Sequence, residues 1–382
     1  MGNCWGAPPH DPANTGKKNL PMFINRSSTV LAEISQKSTH TSSRNRSDYG
    51  KSRFPALNED KAFTNGQIFP TPNLRIFSLA ELKSATRNFT GGTVLGEGDS
   101  DRVFKGWIDQ KIPGNSATGT VIAVRILTTE RLQKSQEWQS EINYWGRLSH
   151  PNVLRLLGYC WEDGHLYLVS EFMMKGSLWD HLLGRAGHIH SLPWDLRLKM
   201  AVGAARGLVF LHTLEKQVIY GNFRATNILL DGSYTAKISD FGFAKVDPSR
   251  SQVYMMDAYA APEFAATGQF NAKSDVYSFG VFLLEMISGR RALDINRPMK
   301  EQNLVDWAKP FLCKEKKLFR VMDTKLEGQY SYESAQKIAQ LVLKCLEGKP
   351  NHRPEMKQVV QKLEQLEAAT TRVANSSSTS RG

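Results

Sequence analysis

Two short stretches of the sequence carry polar side chains that could perform chemistry on a hydroxyl group. The first, Val218 to Asp231, reads VIYGNFRATNILLD, and the second, Ser239 to Gly242, reads SDFG. Asn222 lies inside the first stretch. Its amide can hydrogen-bond a hydroxyl group but cannot accept a proton at any relevant pH. The two stretches therefore supply polar groups that can bind a hydroxyl group, and Asn222 cannot act there as a general base.

A third stretch, LGEGDSDRV, lies between Leu95 and Val103 and is rich in glycine. Gly96 and Gly98 would allow a backbone turn to approach a phosphate group, as phosphate-binding loops do. Short Gly-x-Gly turns are common, however. For this stretch taken alone, a plain hairpin turn is the favoured interpretation.

The surrounding patterns indicate which elements position these residues. TVIAVRIL, Thr120 to Leu127, is β-branched and predicts a strand that carries Arg125. Leu132 to Leu148 has helical periodicity and carries Glu141. LYLVSEF, from Leu166 to Phe172, predicts a further strand, and the pattern after it becomes largely helical. A strand-rich lobe followed by a helix-rich lobe predicts a cleft between the two lobes.

The composition is that of a soluble globular protein. The chain has 382 residues, of which 41% are hydrophobic and 23% charged, and this length suffices for one large domain or two ordinary ones. Cys4, Cys160, Cys313 and Cys345 are scattered, which argues against a zinc site or a disulfide framework and favours a reducing compartment. The sequence shows no membrane-spanning run and no secretory signal, so we expect a cytosolic location.

The net charge of +12 does not indicate nucleic-acid binding. Basic residues are interspersed with acidic ones, and no stripe of lysine and arginine alternates with aromatic residues as a nucleic-acid groove requires. Two alternatives remain open. The positive charge either belongs to a mildly basic solvated surface or attracts the protein to an anionic membrane.

Several motifs follow one another in the order typical of a protein kinase. They are the glycine-rich loop, Arg125 on a strand, Glu141 on a helix, Asn227, Asp240-Phe241-Gly242, Ala261-Pro262-Glu263, Asp275 and Arg353. Residues 89–366 therefore resemble a protein kinase domain. The segments NLRIFSLAELKSATRNF, GRLSHPNVLRLLGYC, DFGFAK and SDVYSFGVFLLEMISGRRALD, together with the start MGNCWG, resemble the plant receptor-like cytoplasmic kinases, a branch related to the animal IRAK-type kinases.

The resemblance implies an α+β, bilobal protein kinase fold with a strand-rich first lobe and a helical second lobe. We expect residues 1–72 to form a disordered arm, residues 73–88 an extension of the kinase domain, residues 89–366 the domain itself, and residues 367–382 a disordered tail. The polar composition of both ends supports this division. Glu263 and Arg353 are expected to form a structural ion pair, as in the family.

The resemblance also assigns candidate site residues for ATP and Mg²⁺. The nucleotide-binding positions are Leu95, Gly96, Gly98, Val103, Ala123, Arg125, Glu141, Ser170, Phe172 and Leu229, and the metal-binding positions are Asn227 and Asp240. Asn227 and Asp240 could instead serve only as hydrogen-bonding residues of the fold. Ser170, where relatives often carry tyrosine, either opens space behind the adenine pocket or is a plain buried serine.

The sequence departs from the family at the positions that carry the chemistry. Arg125 replaces the lysine that holds the α- and β-phosphates, and a guanidinium differs from an ammonium in shape and geometry. Asn222 occupies the proton-acceptor position of the catalytic aspartate, whose assistance is worth about 10²–10⁴-fold. Gly221 replaces the arginine that binds a phosphorylated activation loop. Arg224 keeps a positive charge close to the expected γ-phosphate.

The loops around the site depart from the family as well. Asp101 replaces the third glycine of the glycine-rich loop, and Asp99 lies at its tip, so both carboxylates would face the triphosphate. A like-charge pair at about 5 Å costs roughly 3 kcal/mol at an effective dielectric constant of about 20. Met255 and Met256 provide no hydroxyl group in the substrate-binding loop.

The N-terminus suggests lipidation. Gly2 is a candidate myristoylation site, although Gly6 replaces the serine or threonine of the usual pattern, and Cys4 is a candidate palmitoylation site. Two acyl chains would anchor the protein stably. The alternative is an unmodified start with a free thiol. Ser249 and Ser251 are candidate phosphorylation sites for a partner kinase.

Together these residues favour a pseudokinase, which acts as a membrane-tethered scaffold or regulator in plant receptor-kinase signalling, in immunity or development. Its expected partners are plasma-membrane receptor kinases or other cytoplasmic kinases, and its expected location is the cytoplasmic face of the plasma membrane. The alternative is a low-activity ATP-dependent Ser/Thr protein kinase. Phosphoryl transfer depends mostly on positioning and electrostatics, so loss of the base alone would not abolish it.

Overall fold

The computed structural model describes residues 66–97, 101–110, 118–128, 137–184, 191–240 and 258–379. All of them belong to the unit Phe54–Gly382. Strands dominate the described chain up to residue 177 and helices dominate it afterwards. The predicted order, a strand-rich lobe before a helical lobe, is confirmed.

The first lobe contains a six-stranded main sheet and a separate two-stranded sheet. Its strands are β1 (Gln67–Ile68), β2 (Arg75–Ile76), β3 (Val94–Glu97), β4 (Asp101–Gln110), β5 (Thr118–Thr128), β6 (Leu148–Ser149), β7 (Leu156–Glu162) and β8 (His165–Glu171), and its helices are α1 (Leu79–Ala85) and α2 (Glu137–Trp145). The main sheet has the order β2-β7-β8-β5-β4-β3, and β1 pairs separately with β6.

The strand register brings predicted nucleotide-binding positions onto neighbouring strands. Val103 in β4 lies opposite Arg125 in β5, and Ala123 in β5 lies opposite Ser170 in β8. Because side chains alternate between the two faces of a strand, Ala123 and Arg125 share one face. Ile122 belongs to the other face, which packs with α1 in a separate apolar cluster.

The chain before α1 runs along the sheet and the end of α2. The Phe69 amide donates to the Arg147 carbonyl over 2.8 Å, and the Phe77 amide donates to the Tyr159 carbonyl over 2.9 Å. Contact is closest at Gly158, where a Cβ atom would lie 2.0 Å from the Arg75 carbonyl oxygen. Helix α1 then begins at a capping box formed by Ser78 and Glu81.

These contacts correct one predicted boundary. The sequence predicted a disordered arm up to residue 72, whereas residues 66–72 include β1 and hydrogen-bond to the chain after α2. Composition missed this segment because its partners are backbone groups about 80 residues further along the chain. Residues 1–65 lie outside the described residues.

The second lobe contains most of the helices. Its described elements are β9 (Gly176–Ser177), α3 (Leu178–Leu182), α4 (Trp194–Thr213), β10 (Ile228–Leu230), β11 (Ala236–Ile238), α5 (Pro262–Thr267), α6 (Ala272–Ser288), α7 (Leu304–Leu312), α8 (Tyr332–Cys345) and α9 (Met356–Thr379). Helix α6 is buried along almost its whole length and therefore belongs to the core of this lobe. Asn271 caps its first turn, and Gly289, at a φ of 63°, ends it.

The last helix extends past residue 366, where the sequence predicted the end of the kinase domain. A disordered tail was expected from residue 367, but α9 continues to Thr379. Val359, Leu363 and Leu366 are buried, and Arg206 of α4 forms an ion pair with Glu364 over 2.8 Å. A helix fixed by this packing can continue past this point without a further buried apolar stripe.

Glu263 and Arg353 form an ion pair within the second lobe. The predicted ion pair is confirmed: the Arg353 guanidinium donates two hydrogen bonds to the Glu263 carboxylate, over 2.7 and 2.8 Å. Within the described ranges, no helix is both long and apolar enough to cross a membrane.

Candidate active site

The stretch that follows α4 is attached to α6 through backbone groups. The Tyr220 and Gly221 amides each donate to the Asp275 carboxylate over 2.8 Å, and His212 Nε2 lies 2.7 Å from the same carboxylate. Asp275 is 1% exposed. Gly221 has a φ of 78°, a conformation that is strained for any residue with a Cβ atom. The bonds to Asp275 therefore fix the path of the loop.

Asn222, Asn227 and Asp240 are brought together by short-range hydrogen bonds. Asn227 Nδ2 donates to the Asn222 carbonyl over 3.0 Å, and the Ser239 amide donates to the Asn227 carbonyl over 2.9 Å. Asp240 directly follows Ser239 and has a φ of 60°. The two predicted metal-binding residues thus lie on adjacent segments, beside the backbone of Asn222.

Arg125 and Asp240 are joined by an ion pair between β5 and the end of the β11 segment. The Arg125 Nη1 atom donates to Asp240 Oδ1, and both side chains are mostly buried. The sequence left a pair between Arg125 and Glu141 open; among the residues that the structure describes, the ion pair of Arg125 is with Asp240 and not with Glu141. The guanidinium of Arg125 is thus paired with Asp240, a residue that the sequence predicts to bind the metal.

Arg224 lies beside Tyr259, which stands two residues before the Ala261-Pro262-Glu263 motif and which sequence reasoning did not single out. The Arg224 guanidinium is 5.5 Å from the centroid of the Tyr259 ring. The Tyr259 hydroxyl donates to Glu285 of α6. Burial, together with the Glu285 carboxylate, raises the pKa of Tyr259 well above its usual value. The hydroxyl therefore stays protonated and ties the segment before α5 to α6.

The other predicted nucleotide-binding residues surround the junction of the two lobes. Leu95 and Gly96 are exposed on β3, Ser170 near the end of β8 is partly exposed rather than fully buried, and Leu229 lies on β10. Phe172 follows β8, with Lys105 Nζ 4.8 Å from its ring centroid. Gly98, Asp99, Phe241, Gly242, Ser249, Ser251, Met255, Met256, Gly2 and Cys4 lie outside the described residues, as does the side chain of Asp101.

A second ion pair connects the two lobes and was not predicted. Lys237 Nζ in β11 donates to both carboxylate oxygens of Glu171 at the end of β8, over 2.8 Å each. The Arg155 amide also donates to Glu171, over 2.8 Å. No local pattern in the sequence reports this contact, because its partners are 66 residues apart.

The fold and the site define a protein of the kinase class. Residues 89–363 match the family "Protein tyrosine and serine/threonine kinase". This range includes Arg125, Asn222, Asn227 and Asp240.

Proteins with similar sequences show which branch of the kinase class the chain belongs to. "Probable serine/threonine-protein kinase PBL9" of Arabidopsis thaliana is 49% identical over 91% of this chain and 87% of its own. "Receptor-like cytoplasmic kinase 176" of Oryza sativa subsp. japonica is 45% identical over 98% and 92%, and "Serine/threonine-protein kinase BIK1" of Arabidopsis thaliana is 49% identical over 80% and 79%. The chain belongs to the plant receptor-like cytoplasmic branch of the Ser/Thr protein kinases.

Proposed function

We propose that this chain is a low-activity ATP-dependent Ser/Thr protein kinase of plant receptor-kinase signalling. One observation carries the proposal: the catalytic-loop backbone is held by Asp275, with Asn222, Asn227 and Asp240 adjacent to one another. The names of the relatives describe Ser/Thr kinases and support this function better than complete loss of activity.

The residues present can accommodate Mg²⁺ with one restriction. Asn227 and Asp240 provide an amide oxygen and a carboxylate, the kind of donors that Mg²⁺ prefers. Asn227 Nδ2 is bonded to Asn222, so its Oδ1 is the atom that can act as a ligand. Arg125 occupies Asp240 Oδ1, so Mg²⁺ would compete with the guanidinium for this oxygen or bind through Oδ2. When bound, Mg²⁺ supplies charge neutralisation on the phosphates.

Asn222 and Arg224 would orient the substrate hydroxyl and supply positive charge. Asn222 would hydrogen-bond the substrate hydroxyl and orient it without accepting its proton. Arg224, held beside Tyr259, would supply positive charge. Without the general base, the rate is expected to fall by about 10²–10⁴-fold relative to a complete kinase.

A second candidate function is the pseudokinase, a scaffold or regulator without phosphoryl transfer. The Arg125–Asp240 ion pair favours the pseudokinase function, because the carboxylate predicted to bind the metal is paired with Arg125 of the chain itself. In this function the kinase surfaces would bind a receptor kinase or another cytoplasmic kinase.

Both functions would take place beneath the plasma membrane. One relative is named a receptor-like cytoplasmic kinase, and lipidation at Gly2 and Cys4 would hold the chain at the cytoplasmic face of the membrane. Replacing Gly2 by alanine should release the protein from membranes. Unchanged membrane association of this variant in plant cells would refute the lipid anchor.

The test of activity is radiolabelled autophosphorylation of the full-length chain with ATP and Mg²⁺, alongside the Asp240→Ala variant. Weak label that disappears in Asp240→Ala supports the low-activity kinase. No label, combined with a thermal shift by ATP, supports the nucleotide-binding pseudokinase. No label and no shift supports a pure scaffold.

A further inference from the structure

The segment that follows α7 forms an exposed basic turn. Cys313–Arg320 reads CKEKKLFR, and residues Glu315–Arg320 form a 3₁₀ helix. All residues of the segment are exposed except Leu318, which is 2% exposed and packs in the core. Lysine and arginine outnumber the single glutamate. We call Cys313–Arg320 the basic turn.

The charges of the basic turn are not neutralised by the protein. Lys314, Lys316 and Lys317 form no ion pair within the described part of the chain. By contrast, Lys337 on α8 pairs with Glu333 over 2.7 Å. Glu315 is the only acidic residue among Lys314, Lys316, Lys317 and Arg320, so the turn keeps a net positive charge and is suited to an external negative charge.

Aromatic side chains accompany these charges. Phe319 is 68% exposed, between Leu318 and Arg320. The Arg320 guanidinium lies 5.7 Å from the ring centroid of Phe311 in α7, and the Phe311 and Trp307 rings are 5.5 Å apart. The surface therefore combines an exposed phenylalanine with cations that stand beside aromatic rings.

We propose that the basic turn is a membrane-contact surface, which binds anionic phospholipid headgroups while Phe319 enters the headgroup region. Basic residues close to an anionic leaflet attract it, and an aromatic side chain inserts where the headgroups meet the acyl chains. This contact depends neither on N-terminal lipidation nor on kinase activity.

The shape of the turn favours a lipid surface over a protein or nucleic-acid partner. Every residue of the segment except Leu318 is exposed, so its charged side chains can all face one extended surface. Lysines bind a diffuse negative surface as point charges, without the bidentate geometry that base or phosphopeptide recognition uses. An exposed phenylalanine gains little from a soluble polyanion but gains from a bilayer interface.

The expected effects are measurable. Each basic residue near an anionic membrane contributes about a five-fold change in binding, so replacing Lys314, Lys316 and Lys317 by glutamine should weaken binding about 100-fold. Replacing Phe319 by serine should weaken it about ten-fold, because partial burial of the ring is lost.

The experiment uses the full-length Gly2→Ala chain, so that myristoylation cannot contribute. Binding is measured by co-sedimentation with vesicles of phosphatidylcholine alone or with added phosphatidylserine. We expect binding only to the vesicles with phosphatidylserine, and weaker binding at higher salt. The matched control replaces Lys344, Lys357 and Lys362, exposed lysines on α8 and α9, by glutamine. This control has the same net charge as the triple variant and should bind nearly as the parent chain does.

A fluorophore on Cys313 gives a second readout. Cys313 is exposed, whereas burial raises the pKa of Cys160 and of Cys345 to about 12, which slows their reaction with a label. In a Cys4→Ser background, the emission of the label should shift when anionic vesicles are added.

Three outcomes would overturn the proposal. The first is equal binding by the two lysine triple variants. The second is no emission change at Cys313 on anionic vesicles. The third is binding to heparin or an acidic peptide that matches vesicle binding and does not depend on Phe319, since this would identify a general polyanion surface.

Discussion

The guanidinium of Arg125 forms an ion pair with the carboxylate of Asp240, across the site between the two lobes. A metal ion and the guanidinium would compete for the same carboxylate, and charge-assisted hydrogen bonds from arginine are strong.

Replacing Arg125 by lysine should increase the effect of Mg²⁺ on ATP binding. Lysine is a compact point charge without the planar fork of arginine, so it should hold Asp240 less firmly. The measurement is the thermal shift caused by ATP, with Mg²⁺ and with a chelator, in both proteins. Asp240→Ala is the control and should remove the Mg²⁺-dependent part in either background. The same Mg²⁺ dependence in the parent chain and in Arg125→Lys would contradict the competition.

Replacing Asn222 by aspartate should increase autophosphorylation. A carboxylate at this position supplies the missing general base, which is worth about 10²–10⁴-fold, and the backbone of the loop is already held by Asp275. The rate is measured with radiolabelled ATP. The control Asn222→Ala removes the amide without adding a base and should give no increase. If the aspartate and alanine variants label equally, the missing base does not limit the rate.

Replacing Gly158 by alanine should destabilise the first lobe. The new Cβ atom would lie 2.0 Å from the Arg75 carbonyl oxygen and 2.6 Å from the Phe77 ring. Overpacking of this kind costs about 1–3 kcal/mol. The midpoint of thermal unfolding should therefore decrease. Gly92→Ala is a suitable control, because no atom lies within 4 Å of the Cβ it would add. An unchanged midpoint in Gly158→Ala would show that the chain before α1 is not held there.

The free energy of unfolding should fall as the pH is lowered below neutrality, because His150 is held neutral in the folded chain. Burial, followed by repulsion from Arg206 and Lys237, lowers the pKa of His150 from 6.5 to about 4. Between these two values the unfolded chain binds a proton that the folded chain does not, so the free energy of unfolding falls as the pH falls through this window. The ring accepts a hydrogen bond from the Asn152 amide over 3.0 Å, and it stacks on Phe210.

The His150→Gln variant should lose part of this pH dependence, as measured by denaturant unfolding at several pH values between 4 and 6.5. His352→Gln is the control, since His352 is exposed. Parallel pH profiles for the parent chain and His150→Gln would rule out this role of His150.

Local sequence patterns predicted the elements of the fold well. The strand around Arg125, the strand of Leu166 to Phe172 and the core helix from Ser274 each have a strong periodic or β-branched pattern, and each is present. The ordered motifs then located Asn222, Asn227 and Asp240 in one site, because the family resemblance supplied the long-range arrangement.

The contacts between distant residues were not predictable. Arg125 and Asp240 are 115 residues apart, and only the packing of the two lobes shows that their side chains meet. The same holds for Glu171 and Lys237. The ends of the domain were also missed, because β1 pairs through backbone groups and α9 continues through polar residues that carry no apolar pattern.

Asp275 binds the catalytic loop through the amides of Tyr220 and Gly221, and amides are the same whatever side chains a gene encodes there. Gly221 also accepts a φ of 78° without the strain that a larger residue would bear. Substitution of the side chain of Asn222 therefore leaves the hydrogen bonds that hold the loop backbone unchanged. Position 222 can therefore change its side chain while the loop keeps the path that Asp275 gives it.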